Sequence, residues 1–398
     1  MDAEDKRARI MKWPPFFRAG FRPFFLGGAL WALVVVALWI CALSGAITLP
    51  TQFDPLAWHR HEMLFGFLSG VIGGFLLTAI PNWTGRLPLN GVRLVALAGL
   101  WIAARLALLF SAWVGAPLAA LLDVGFLLTL CFVAAREVIK AKNRNFPIVI
   151  AIGLFALADA LDHAEAAGWN VPAGLGWRLG FGIVLVLIGL IGGRIIPSFT
   201  RNWLAKRGVV KGLPSQPSRF DIAVLATTGV ALATWAAAPE AAVSAALLVL
   251  AGIAQAIRLG RWSGYKTARD PLVLILHVAY AWLPIGLLLL GGSHFIWCIP
   301  ASAATHALSA GAMASMSLAV MTRASLGHTG RDLRADGWTQ AIYLFVTLGA
   351  FVRVAAPALP FDYQRSIETA GTLWGGAFLL FVLAYGPKLV GARPDGRP

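Results

Sequence analysis

Runs of about 20 apolar residues, separated by short joints rich in Pro, Gly and charge, follow one another along the chain. A helical run of that length covers the ~30 Å hydrocarbon core of a bilayer. No water is present there, so each segment must close its own backbone hydrogen bonds, which helix does. The pattern predicts an all-α polytopic membrane protein, a single integral membrane domain over 1–398. Its twelve transmembrane helices are expected at about 23–46, 59–82, 92–114, 117–136, 146–166, 177–200, 220–238, 240–259, 271–291, 300–323, 338–358 and 368–387. Pro50, Pro117, Pro172, Pro271 and Pro300 punctuate the joints.

Composition agrees: 59% of the residues are hydrophobic and 13% charged, against about a quarter charged in a globular protein. The net charge of +15 would suit a nucleic-acid partner, but its distribution follows topology instead. With the amino terminus placed in the cytoplasm, 28 of the 33 Lys and Arg fall in cytoplasmic segments. The outer loops hold Arg60, Arg178 and Arg365, and Arg105 and Arg353 lie within helices. This bias places both termini in the cytoplasm and leaves membrane lipid, not nucleic acid, as the partner. The basic amino-terminal stretch (Lys6, Arg7, Arg9, Lys12, Arg18, Arg22) precedes an apolar run too long for a signal peptide, so helix 1 is expected to be retained. Cys41, Cys131 and Cys298 have neither the spacing nor the even number of a disulfide framework or zinc site and read as buried small residues.

An internal repeat is visible. Aligned without gaps, His61–Arg86 and His306–Arg331 match at His61/His306, Gly66/Gly311, Ala79/Ala324 and Thr84-Gly85-Arg86/Thr329-Gly330-Arg331. Trp177–Asn202 matches the first segment at Phe65/Phe181, Gly66/Gly182, Ile80/Ile196, Pro81/Pro197 and Thr84/Thr200. These are helices 2, 6 and 10, a four-helix period that predicts three units around a pseudo-threefold axis, with ligand sites at repeat interfaces.

Of the seven histidines, topology puts His59, His61, His163, His294 and His306 toward the outer face, His277 within helix 9 and His328 on the cytoplasmic side. An intramembrane ionisable residue is a functional candidate by default, and neutral imidazole is a common metal ligand. His61 and His306, at matching helix ends, can offer imidazoles to the two faces of one haem, with Gly66 and Gly311 leaving room for a flat ring; interfacial histidines bonded to water are the plainer reading. His59 lies about 200° round the helix from His61, so it suggests a separate metal with Glu62 and Met63 on its face, or a headgroup contact. Asp159, Asp162 and His163 share a face of helix 5, as a ligating imidazole with carboxylate support would, or as an ion pair with Arg105 or Arg178. His277, with Tyr280 on the same face, suits a metal ligand, a proton path, or a bond to a carbonyl. Arg105 and Arg353 suit a haem propionate or a partner such as Asp123 or Asp159. His294 and His328 read as loop residues, and Met313 and Met316 as core. No P-loop, dinucleotide fingerprint, HExxH or CxxCH is present, so any haem would be non-covalent haem b.

Several motifs resemble the NnrS family: Phe21-Arg22-Pro23-Phe24-Phe25 before helix 1, Trp58-His59-Arg60-His61-Glu62-Met63 with Gly66, and Ala79-Ile80-Pro81-Asn82-Trp83-Thr84-Gly85. Gly193-Arg194-Ile195-Ile196-Pro197-Ser198-Phe199-Thr200, His306-Ala307 and Met321-Thr322-Arg323-Ala324 extend the likeness over most of the chain. The resemblance implies a bacterial inner-membrane protein containing haem and copper, associated with nitric oxide metabolism and protection against nitrosative stress. On that reading His61 and His306 hold haem, and His59, His163 or His277 holds copper or a second axial position. Nitric oxide is the small-molecule ligand, and the electron donor is unknown. A looser likeness to the catalytic subunit of haem-copper oxidases matches in helix count and in haem ligands from helices 2 and 10. It departs where helix 6 lacks a histidine and helix 7 a His-His pair. Two other readings stand beside this one: an ion-coupled secondary transporter without metals, using Asp159, His163 and Arg105, and a haem-binding sensor without turnover.

Overall fold

The computed structural model describes residues 10–396; Lys6, Arg7 and Arg9 of the expected cytoplasmic tail, and Arg397 at the other end, lie outside the described residues. Among the described residues the regular structure is helical throughout. Twelve helices are long and apolar enough to cross a membrane: α1 (Phe21–Leu43), α2 (Pro55–Thr84), α3 (Val92–Leu109), α4 (Ala116–Lys140), α5 (Phe146–Ala166), α6 (Leu175–Ala205), α7 (Arg219–Ala237), α8 (Ala242–Gly260), α9 (Pro271–Phe295), α10 (Ala301–His328), α11 (Gly337–Ala358) and α12 (Tyr363–Val390). Each expected segment has its helix, and the chain is a multi-pass membrane protein. Large apolar side chains such as Leu121, Phe132, Val92 and Ile222 stay exposed on the helix surfaces, as lipid-facing positions do.

The ends show what polar caps add to the apolar pattern. α2 starts at Pro55, a turn before the expected 59, because the Asp54 carboxylate accepts from the Leu56 and Ala57 N–H groups at 2.9 and 3.2 Å. Pro55 takes the first position, where its missing N–H costs nothing. Asp270 with Pro271 starts α9 in the same way, and a Ser218–Asp221 capping box starts α7. At its other end α2 passes through Pro81 and stops at Gly85, in the left-handed conformation at φ 67°.

Two helices are irregular at matching places. α2 widens into π-helix over Glu62–Phe67, directly after His61, and α10 does so over Ala307–Met313, directly after His306. The third aligned segment, in α6, is α-helical throughout. π-turns inside α-helices are rare and concentrate at functional sites.

The helices fall into two compact units. Of the described residues, the first holds those up to Gly180, Ala324–Asp332 and those from Phe381 on; the second holds Phe181–Arg323 and Leu333–Leu380. In the first, Phe24 of α1 packs against Phe126 of α4 and Trp101 of α3. Arg22, expected in the cytoplasmic tail, is instead buried: its guanidinium donates to the carbonyls of Leu389 and Gly391, both at 2.7 Å. It satisfies carbonyls that the end of α12 leaves without helical partners. In the second unit, Arg258 of α8 donates to Asp221 at 2.9 Å, to the Gly189 carbonyl at 2.8 Å and to the Tyr280 hydroxyl at 3.0 Å. Tyr280 donates to Gln255 at 2.8 Å, and Gln255 to Thr228 at 2.9 Å.

Candidate metal centre

Four helices of the first unit bring polar side chains to one buried point. α2 supplies His61 and Glu62, α3 Arg105, α4 Asp123, and α5 Asp159, Asp162 and His163. Each of these residues lies within a long, mainly apolar helix. The i, i+3, i+4 spacing of Asp159, Asp162 and His163 puts all three on the same face of α5. Gly176, at the start of α6, lets that helix approach closely: a Cβ there would collide with the backbone at Ala158 and Asp162. Phe53 and Phe65 wall the site, with ring centroids 5.2 and 5.1 Å from that of His61.

His61 is fully buried, and both its ring nitrogens face carboxylates. Nδ1 lies 2.8 Å from Asp162 Oδ2, and Nε2 lies 2.7 Å from Asp123 Oδ2 and 3.6 Å from Asp159 Oδ1. His163 Nε2 is 3.3 Å from the same Asp123 oxygen and 3.8 Å from Asp159 Oδ1. One donor atom from each of His61, Asp123, Asp159 and His163 can be chosen so that all four lie within 4.8 Å of one another. Donors around one tetrahedral ion at ~2.1 Å stand roughly 3.4 Å apart. The set therefore closes on a single ion with small side-chain movements.

A supporting layer surrounds these four. Arg105 donates to Glu62 Oε2 at 2.6 Å and pairs through its other terminal nitrogen with Asp123 Oδ1, leaving Oδ2 toward the histidines. Glu62 also accepts from the Trp31 indole at 2.6 Å. Asp162 holds the Nδ1 side of His61, the carboxylate–histidine arrangement that aims the other ring nitrogen at a metal. At the rim, Arg60 lies over the Trp177 ring at 5.0 Å, its guanidinium 3.6 Å from Asp162 Oδ1.

One feature of this cluster is consistent with a cation. Neither carboxylate oxygen of fully buried Asp159 has a hydrogen-bond partner, although a buried unpaired carboxylate is among the costliest groups a protein can hold. Two imidazoles and two carboxylates suit a divalent transition metal such as copper, zinc or iron.

The remaining expected residues lie elsewhere. His59, two positions from His61, stacks on Trp39 with centroids 4.8 Å apart, while Glu62 turns to Arg105 and Trp31, so the pairing of His59 with Glu62 is not formed. Arg105 takes Glu62 and Asp123, not Asp159, and Arg178 donates to the Ala173 carbonyl. His277 faces the Thr200 hydroxyl at 2.8 Å, whereas Tyr280 belongs to the Arg258 network, so the two do not act together. His306 lies in the second unit and donates from Nδ1 to the Ser302 carbonyl at 2.7 Å. The space a Cβ at Gly66 would take is filled by the Glu62 carboxylate and the Arg105 guanidinium; at Gly311 it is filled by the Trp282 indole. Asp123 and Glu62, central to the geometry, entered the sequence reading only as a possible ion partner and as a neighbour of His59. A lone acid in the middle of the apolar α4 was the available signal for Asp123.

The sequence profile of the family described as NnrS protein matches residues 15–393. Among curated proteins none matches the chain.

Proposed function

The chain belongs to the NnrS family, and from that membership and the buried His–Asp cluster we propose a metal-dependent role in nitric oxide metabolism or protection against nitrosative stress, in the bacterial inner membrane. The observation that carries the metal part is Asp159, a buried carboxylate without a hydrogen-bond partner beside two imidazole nitrogens. On this reading His61, His163, Asp123 and Asp159 hold copper. A bound copper would supply a Lewis-acidic centre at these residues. The chain's own residues do the rest. Asp162 fixes the His61 ring, Arg105 holds the second oxygen of Asp123, and Phe53 and Phe65 keep the surroundings apolar. With the termini in the cytoplasm, the cluster stands near the outer ends of α2 and α5, where uncharged nitric oxide can arrive through lipid.

Haem b fits less well at His61, since both ring nitrogens are engaged by carboxylates at 2.7 and 2.8 Å. His306 fits better: its Nδ1–H is held by Ser302, and its Nε2 is the atom that would hold haem iron. The test is nitric oxide removal by the purified protein with an electron donor, followed at an electrode, for wild type, Asp159→Asn and His306→Ala. Removal that falls at least tenfold in Asp159→Asn supports the reading. Equal removal in wild type and Asp159→Asn would sink the role given to this cluster.

A further inference from the structure

We propose that the loops joining α6 to α7 and α8 to α9 form a docking surface for the headgroups of anionic phospholipid. Both loops belong to the second unit. α6 ends at Ala205, α7 begins at Arg219, α8 ends at Gly260 and α9 begins at Pro271, so the two loops stand at one end of four successive spans. Hydrogen bonds join them into one surface. Lys266 Nζ and Ser263 Oγ donate to the Gly212 carbonyl at 2.8 and 3.2 Å, and the Ser215 N–H donates to the Arg261 carbonyl at 3.3 Å. Gly212 has φ 65°, and a Cβ there would fall 2.6 Å from Lys266 Nζ. Glycine is what lets the two loops close on each other.

This surface carries cations whose charge the protein does not answer. Lys206, Arg207, Lys211, Arg219 and Arg269 are all exposed on it. The acids at this end of the four helices are Asp221 and Asp270, and both are engaged. Asp221 accepts from Arg258 at 2.9 Å and from the Ser218 N–H and hydroxyl at 2.8 and 3.0 Å. Asp270 accepts from the Leu272 N–H at 3.0 Å. In the first unit, by contrast, Glu137 pairs with both Arg86 and Arg136. Apolar and aromatic groups stand among the exposed cations. Val210 and Tyr265 are 81% and 78% exposed. The Arg207 guanidinium lies 3.9 Å from the Trp203 ring centre, and Lys266 Nζ lies 5.7 Å from that of Tyr265. Tyr and Trp favour the headgroup level of a bilayer, and clustered Lys and Arg there attract lipid phosphate. An acidic protein would meet the same charges, but Val210 and Tyr265, exposed at the ends of membrane spans, fit the boundary between headgroup and acyl chain.

The test is native mass spectrometry of the purified full-length protein in a non-ionic detergent, with phosphatidylglycerol and phosphatidylcholine of the same acyl chains added in equal amounts. Wild type is compared with Lys206→Gln/Arg207→Gln/Lys211→Gln, with Arg219→Gln/Arg269→Gln, and with the charge-keeping Lys206→Arg/Lys211→Arg. Thermal melting in detergent alone reports that each is folded. The expected result is that wild type retains phosphatidylglycerol over phosphatidylcholine by about fivefold or more. The preference falls to within about twofold in the triple variant, weakens in Arg219→Gln/Arg269→Gln, and stays in Lys206→Arg/Lys211→Arg. Equal retention of the two lipids by wild type overturns the proposal. So does a wild-type preference kept by both folded Gln variants, which would place the lipid site elsewhere on the protein.

Discussion

Arg105 shows how tightly the buried charges depend on one another. It is the one guanidinium at the centre of the cluster and bridges Glu62 and Asp123. Breaking a buried ion pair on one side leaves the other charge uncompensated, at a cost of about 3 to 5 kcal/mol. Arg105→Met is therefore expected to lower thermal stability in detergent by that order, and adding Asp123→Asn should recover part of the loss. If Arg105→Met melts like wild type, the pairing does not hold the helices as described. Asp159 predicts the opposite. Since it has no hydrogen-bond partner, Asp159→Asn forfeits no hydrogen bond and should leave the metal-free protein about as stable as wild type, while abolishing ion retention. Metal affinity should also weaken as pH falls, because neutral imidazole and ionised carboxylate are the binding forms and protons compete for them. Binding titrations in weak buffer should then show proton release on loading.

At the scale of elements, the position of His61 depends on how α2 begins and widens. Asp54→Ala removes the cap that starts the helix a turn before the site and should cost about 1 kcal/mol; thermal melts of the variant against Asp54→Asn check this. Gly66→Ala would push the Glu62–Arg105 pair apart, since a Cβ there has no space, and should cost more than the cap. How much was legible in the sequence follows from the same helices. The twelve spans were readable because hydrocarbon admits no alternative to helix. Their ends shifted where a capping Asp, invisible to hydropathy, extended a helix into polar sequence, as at Asp54. The shared face of Asp159, Asp162 and His163 was readable from spacing. The convergence of Asp123 and Glu62 on His61 was not, because it depends on which helices pack together and on a π-turn that resets the register after His61.

At the scale of the molecule, the excess of Lys and Arg on alternate joints predicts that both ends face the cytoplasm. Reporters fused to the carboxyl terminus should behave as cytoplasmic, with fluorescent protein active and alkaline phosphatase silent; the reverse would invert the topology and move the His61 cluster to the inner face. Family membership and the twelve-helix architecture bound the kind of protein this is, and in the first unit buried ionisable side chains from four helices converge. Most polar groups there have a partner from a different helix, whereas neither oxygen of Asp159 has a hydrogen-bond partner and its Oδ1 faces two imidazoles. The same set of buried carboxylates would serve an ion-coupled transporter if no metal were held. The most direct measurement is therefore the metal content of the purified full-length protein by mass spectrometry, for wild type and Asp159→Asn, with His277→Ala as a control away from the cluster. The account predicts one transition-metal ion per chain at this site, kept in His277→Ala and lost in Asp159→Asn; equal metal content in wild type and Asp159→Asn would contradict it.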